Sequence, residues 1–246
     1  MKILFSPSEA KYKDGNDVKF TEKSFIFPEL FKYRLEMINK YQSFIDNGTN
    51  DEIAKLIGTK KQDIIDYYSS DIFKRNTKKV IQRYDGVAYD YLKYEELSNT
   101  EQKYIDDNVV IFSNLFGPIL AGDDGLPDYK LKQGEKLDKL AVEVFYKEHF
   151  SKSLDEYLAQ EDVLDLRAGF YEKFYKMSKP YTTMKFIKDG KVVSHWAKAY
   201  RGILLNNISK NNIKTIEELM NLEINNLRIS EVKEQKLKTE IVYNIV

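Results

Sequence analysis

Two short runs of apolar residues constrain this chain more than any other feature. Lys2–Phe5 (Lys-Ile-Leu-Phe) stops at the turn-forming Ser6-Pro7-Ser8, and Val109–Phe112 (Val-Val-Ile-Phe) stops at Ser113-Asn114. Both are too short for helices and carry aliphatic and aromatic side chains in unbroken succession, so both read as buried strands. Such strands need pairing partners and a cover of helices. Val163–Leu166 is a further strand candidate. Met184–Ile187 and Val192–Trp196, joined by Lys188-Asp189-Gly190-Lys191, read as a hairpin with an Asp-Gly turn.

The rest of the pattern is largely helical. Residues 28–45 carry an apolar stripe through Leu30, Phe31, Tyr33, Leu35, Ile38 and Phe44. Helices are also expected over 51–57, 60–68, 71–82, 137–150, 153–160, 200–208, 215–220 and 231–242. Gly117–Gly134, with four glycines and two prolines, reads as a long irregular loop. Strands and helices mix without regular βαβ alternation. The expected fold is therefore α+β (mixed α/β): a single domain over residues 1–246 with an irregular mixed sheet surrounded by helices.

Composition removes several kinds of chemistry. There is no cysteine, so disulfides, thiol nucleophiles and thiolate metal sites are excluded, and only His149 and His195 offer imidazoles. No metal site and no cofactor are expected. No stretch approaches the roughly 18–20 apolar residues that cross a bilayer, and the start turns polar too early for a signal peptide, so no membrane role and a cytoplasmic location are expected. Lys and Arg total 39 and so do Asp and Glu, which argues against coating nucleic acid by bulk charge. The charge is unevenly spread: nine Lys or Arg against two acids between Arg167 and Arg201, and seven acids against two lysines between Asp85 and Asp107.

Four motifs are candidates for function. In residues 52–68 Gly58 can end one helix in the left-handed conformation, and Thr59 with Gln62 fits a capping box for the next. Lys60 and Lys61 then flank a helix N-terminus, where free N–H groups favour phosphate. The pattern is that of a helix-hairpin-helix grip on DNA backbones, without its usual second glycine. It equally describes two helices simply packed together. Trp196-Ala-Lys-Ala-Tyr-Arg-Gly202 puts Lys198 and Arg201 three residues apart on one face of a helical turn, either aimed at an anion or flanking a buried Trp196. Ser113–Pro118 with the loop Asp128–Gly134 lies where open sheets place ligands. Gln82–Tyr89 offers Arg83 and Asp85 on a tight turn.

Together these segments resemble the YaaA peroxide-stress family. Ser6-Pro7-Ser8-Glu9-Ala10-Lys11, Tyr84-Asp-Gly-Val-Ala-Tyr89, Ser113-Asn-Leu-Phe-Gly117, Tyr129-Lys-Leu-Lys-Gln-Gly134 and Ala197-Lys-Ala-Tyr-Arg-Gly202 occur in that family's order, from the first strand to about residue 205. The resemblance implies a single mixed domain with a positively charged cleft and a helix-hairpin-helix element. It also implies DNA binding and limitation of iron damage under hydrogen peroxide. Ser6, Lys11, Lys130, Lys198 and Arg201 match polar positions of the family's motifs, and Gly58 matches its hairpin. Glu9 is inserted before Lys11, and Lys130 stands where the family has arginine, which keeps charge but loses the bidentate fork.

The expected function is that of a protective protein binding DNA by structure rather than sequence. The expected anion-binding residues are Ser6, Lys11, Gly58, Lys60, Lys61, Arg83, Lys130, Lys185, Lys198 and Arg201. The alternative is an enzyme acting on a small anionic or phosphorylated metabolite in the same cleft, with Lys11 or Lys198 as base. No nucleophile–base pair, Walker loop or metal cluster is legible, which ranks catalysis second. Iron sequestration by Asp106-Asp107 and Asp123-Asp124 ranks third.

Overall fold

A computed structural model describes residues 1–193 and 196–246. In chain order the strands are β1 (Lys2–Phe5), β2 (Thr77–Lys79), β3 (Val109–Ser113), β4 (Gly117–Leu120), β5 (Asp124–Pro127) and β6 (Lys136–Leu137). They continue with β7 (Leu140–Ala141), β8 (Val163–Asp165), β9 (Tyr181–Lys188), β10 (Lys191–Val192), β11 (Leu227–Gln235) and β12 (Lys238–Ile245). The helices are α1 (Phe31–Asn47), α2 (Asn50–Ile57), α3 (Gln62–Tyr68), α4 (Val80–Arg83), α5 (Val87–Leu92), α6 (Asn99–Asn108), α7 (Val142–Leu158), α8 (Ala197–Lys210) and α9 (Ile216–Met220).

The main sheet runs β11–β12–β9–β8–β1–β3–β4, with β10 added to β9. From β12 to β3 every neighbour is parallel, while the outer strands β11 and β4 are antiparallel. The two short apolar runs are β1 and β3, side by side, with Ile3, Leu4 and Phe5 opposite Val109, Val110 and Ile111. Continuous apolar strands are what a parallel sheet covered on both faces demands, and all five residues of β3 are buried. β9 instead alternates, burying Thr182, Met184 and Phe186 and turning Thr183, Lys185 and Ile187 to a more open face.

The chain leaves β1 for β3 on one side and later returns past it to β8 on the other. Strand order thus reverses at β1, and a crevice opens beyond the carboxyl ends of β1 and β8. Ser6 Oγ accepts the Ala168 amide across that crevice at 2.7 Å, and Leu166 N donates to Leu4 O at 2.9 Å.

Arg34 ties the helical cover to the sheet. It is fully buried on α1 and donates to the carbonyls of Phe116, Ile26 (2.6 Å) and Pro118 (2.8 Å), over the Phe150 ring. Three carbonyls around β4 are satisfied by one side chain, an arrangement that needs Arg's rigid fork.

Several expectations are corrected. Residues 71–82 do not continue as a helix: Thr77–Lys79 pairs with β5, and Asn16 and Thr77 exchange backbone bonds at 2.8 and 3.0 Å. Gly117–Gly134 is not an irregular loop but contains β4 and β5. The two expected helices over 137–160 are one helix, α7, preceded by the small β6–β7 hairpin with Asp138 and Lys139 left-handed. Residues 231–242 form strands, not a helix. The Asp-Gly hairpin is present as β9–β10, with Asp189 and Gly190 both at positive φ, whereas Ser194 and His195 of its expected second arm lie outside the described residues. Trp196, which one alternative buries, is 54% exposed.

Candidate functional site

Two recesses gather the basic motifs. The first, about 700 Å³ and broadly open, lies at the turn between α2 and α3 and is lined by Lys55, Gly58, Thr59, Lys60 and Lys132 among others. Gly58 is left-handed (φ 70°), ending α2 with N–H bonds back to the last turn. Thr59 and Gln62 do not form the expected capping box. Lys61 occupies the N-cap of α3, Thr59 Oγ1 accepts Lys61 N at 3.2 Å, and Gln62 reaches forward to Asp66 at 2.7 Å. The capping box lies one helix earlier, at Thr49 and Glu52. Lys60 and Lys61 are exposed.

The second recess, about 360 Å³ and more enclosed, sits in the crevice beyond β1 and β8. Its walls are the Phe5–Glu9 turn, the start of α5 from Gly86 to Tyr89, Gln133, Ala168 and Tyr171, and the first turns of α8 with Lys198 and Arg201. Each wall has a local cause. The Ser6-Pro7-Ser8 turn ends β1, and Tyr89 OH donates to Ser6 O at 2.9 Å. Gly86, at φ 126°, lets α5 start against Ser8: a Cβ there would lie 2.8 Å from Ser8 Oγ. Gly202 lets α8 press onto α5, and Asn206 Nδ2 fixes the far end by donating to Leu92 O at 2.7 Å.

Arg201 is partly buried, and burial pulls its pKa below the usual arginine value against the weaker pull of Asp165 and Glu172. Neither the Arg201 nor the Lys198 side chain has a hydrogen bond or ion pair among the described residues. Asp165, the nearby buried carboxylate, is already held in two bonds by Arg167, at 2.9 and 2.7 Å.

Lys11 stands behind this wall. Its ammonium donates to Ser8 O and Glu9 O, both at 3.3 Å, and lies 4.1 Å from the Tyr129 ring centroid and 5.3 Å from that of Tyr84. Burial draws its pKa down to about 7, with Asp128 and Glu9 opposing and Lys130 and Arg83 assisting. Tyr129 OH shares a 2.6 Å bond with Ser113 Oγ at the end of β3. Asp128 is held by Tyr67 OH at 3.0 Å and Tyr68 OH at 3.1 Å.

The lowered Lys11 pKa has a thermodynamic sign. Between about pH 7 and its unfolded value near 10.5 the unfolded chain binds the extra proton, so wild-type stability rises with pH there, and the cost of the buried charge is fully present below pH 7. Lys11→Met is therefore expected to raise the thermal midpoint more at pH 6 than at pH 9.5, by about 5 °C. Equal shifts at the two pH values in a fluorimetric melt would contradict a disfavoured ammonium.

Of the sequence-predicted residues, Ser6, Lys198 and Arg201 come together in the second recess, while Lys11 and Lys130, close enough to each other to interact, are not part of its lining. Gly58 and Lys60 line the open groove, with Lys61 beside it. Lys185 projects from the more open face of β9, opposite Val242 of β12 in register. Arg83 is fully buried and donates to the carbonyls of Leu126 (3.0 Å), Tyr12, Asp14 (2.6 Å) and Asn76 (2.9 Å), so it clamps the opening loop and has no fork left for a phosphate. Ser8 and Tyr89, which lie within the Ser6–Lys11 and Gln82–Tyr89 motifs, also line the cavity, as does Tyr171, which was not anticipated. The rule that ligands sit beyond strand ends, applied to Val163–Leu166, points to Ala168 and Tyr171. Asp106 is engaged by Lys79 and Tyr94 OH, both at 2.8 Å, and Asp123 by the amides of Ile26 (3.0 Å) and Leu120 (2.8 Å). Among the described residues no group of three or more His, Cys, Asp or Glu is arranged to hold a metal. No described helix is long and apolar enough to cross a membrane.

Comparison with known proteins finds a match over residues 1–233 to the family model described as peroxide stress protein YaaA. An uncharacterized protein of Campylobacter jejuni is 49% identical over 100% of both chains. A UPF0246 protein of Fusobacterium nucleatum is 27% identical over 94% of each chain, and one of Malacoplasma penetrans is 26% identical over 99% of this chain and 96% of its own.

Proposed function

The chain belongs to the peroxide stress protein YaaA family, and from that premise we propose that it protects DNA under peroxide by gripping the phosphate backbone, limiting oxidative and iron-mediated damage. One observation carries this reading: a single loop joins the two basic recesses. Lys132 lines the open groove and its N–H donates to Leu56 O at 2.9 Å, while the next residue, Gln133, lines the cavity and donates to Glu9 at 3.3 Å. Lys55, Lys60, Lys132, Lys198 and Arg201 thus border two hollows joined by one loop. Lysines spread along such a path neutralise successive phosphates without reading bases, so recognition follows DNA structure rather than sequence. Gly58 supports a helix-hairpin-helix-like contact, since its left-handed cap opens the turn where Lys60 and Lys61 stand.

The test is a titration of duplex and branched DNA at several salt concentrations. Affinity should fall steeply with salt, and Lys60→Ala/Lys61→Ala should flatten the log–log slope by about two, one for each phosphate left unneutralised. An affinity indifferent to salt, or a slope unchanged in the double variant, would refute the DNA reading. Peroxide survival of cells carrying the same variant should fall in parallel.

A further inference from the structure

We propose that the half-open cavity at the carboxyl ends of β1 and β8 binds the phosphate monoester of a small, sugar-sized molecule, with Arg201 as its fork and Lys198, Ser6 and Ser8 as supporting donors. The site is distinct from the open groove at Gly58 and does not require that the protein bind DNA.

Charge is the first reason. Arg201 is partly withdrawn from water, yet no carboxylate among the described residues meets it. A desolvated cation ordinarily has a counter-ion or hydrogen-bond acceptors, because removing its hydration without compensation is costly. The carboxylate best placed to compensate, Asp165, has Arg167 Nε and Nη2 on its two oxygens and the Arg167 amide on one of them. Glu9 is the one acid in the lining; it is exposed, and its carboxylate accepts the Gln133 amide at 3.3 Å. With Lys198 one turn away on α8, the cavity has two cations against one rim carboxylate, an excess suited to a dianion.

Donors are the second reason. Ser6 Oγ uses a lone pair on Ala168 N, which leaves its proton available. Ser8 Oγ has no partner among the described residues and faces Gly86, where the missing side chain keeps space open. The N-terminal turn of α8 adds the positive end of a fourteen-residue helix beside the two cations.

Size is the third. About 360 Å³ sits at the lower end of the roughly 300–1,000 Å³ common to small-ligand sites. That admits a phosphate and a compact body, and the apolar part of the wall, Phe5, Val87, Tyr89 and Tyr171, suits the carbon face of a sugar. A duplex cannot enter.

Calorimetric titration of the full chain with ribose 5-phosphate, ribose and inorganic phosphate tests this directly. Ribose 5-phosphate should bind saturably and at least about tenfold more tightly than ribose, with inorganic phosphate competing. Arg201→Gln should weaken ribose 5-phosphate by about tenfold or more, Arg201→Lys by less, since the charge returns without the fork. Ala168→Leu, which fills the cavity without touching a charge, should abolish binding and guards against misreading a poorly folded arginine variant. Lys60→Ala/Lys61→Ala should leave ribose 5-phosphate binding unchanged even where it flattens the salt dependence of DNA binding, so the two readings fail separately. Three outcomes would overturn the proposal: no saturable binding up to about 10 mM ribose 5-phosphate, equal binding by wild type and Arg201→Gln, or binding of a 5′-phosphorylated oligonucleotide with none of the sugar phosphate.

Discussion

Gly202→Ala should lower the thermal midpoint by about 6–12 °C, corresponding to about 3 kcal/mol, and should abolish ribose 5-phosphate binding in whatever protein remains folded. A Cβ on Gly202 would lie 2.0 Å from the backbone oxygen of Ala88 and 3.0 Å from the amide nitrogen of Leu92. Neither obstacle is a flexible side-chain tip. Both belong to α5, which α8 packs against along its length and to which Asn206 bonds through Leu92 O. The clash can be relieved only by moving one helix off the other. Such a movement carries Lys198 and Arg201, on the turns just before Gly202, away from Ser6 and Ser8. One methyl group therefore reads out stability and site geometry together. Lys210→Ala, at the exposed end of the same helix, should change stability by less than about 0.5 kcal/mol and leave binding intact. If Gly202→Ala melts like wild type, the close α5–α8 approach is not a feature of the folded protein in solution.

What the sequence made legible follows from how local each signal is. Apolar runs gave β1 and β3 because burial on both faces keeps their centres free of polar residues, and β8 was legible despite the buried Asp165, whose charge Arg167 meets. The Asp189-Gly190 hairpin and the Gly58 break were legible because positive φ selects those residues. The carboxy-terminal strands were not legible. Glu231–Glu240 is dense in Glu and Lys, good helix formers, yet it forms an edge hairpin whose register is set by Leu227, Ile241, Tyr243 and Ile245 packing at period two. Charged residues on β11 also suit an outer strand that must not pair with another chain. Thr77–Lys79 was missed for a related reason. Its strand exists because Asn16 and β5 supply partners from 61 and about 47 residues away, which no local window contains.

Arginine roles were the hardest to read at the site. Six arginines look equivalent as letters. Arg34, Arg75 and Arg83 prove to be carbonyl clamps, with Arg75 serving Asp128 O at 2.8 Å and Tyr67 O at 3.1 Å, and Arg167 is locked to Asp165. Arg228 donates to the carbonyls of Ile224 and Leu227, which leaves Arg201 as the uncommitted fork among the described residues. Ser6, Lys198 and Arg201 were legible as motif residues, but their convergence depends on strand order reversing at β1, a property of topology rather than of any spacing.

The largest loss of stability is expected from Arg167→Met. Arg167 and Asp165 are 5% exposed each and joined by two charge-assisted bonds, at 2.9 and 2.7 Å. The arginine also donates to Tyr171 O and Tyr175 O at 3.1 and 3.0 Å, and its guanidinium lies over Phe112. Removing it leaves a buried carboxylate with only the residue-167 amide and strips two carbonyls of their donor, a loss of about 3–5 kcal/mol by urea unfolding. The double variant Arg167→Met/Asp165→Leu removes both charges and should recover about half of that loss, because an apolar pair can occupy the volume while the Tyr171 and Tyr175 carbonyls stay unserved. The pair should also bear on the cavity. With Arg167 gone, Asp165 becomes the nearest uncommitted acid to Arg201, whose pKa it already raises. In folded Arg167→Met protein, ribose 5-phosphate affinity should therefore fall, and the added Asp165→Leu change should restore it. Restored stability without restored affinity would mean that Asp165 does not compete for Arg201. A single variant as stable as wild type would remove the buried pair from the account of what holds β8 in place.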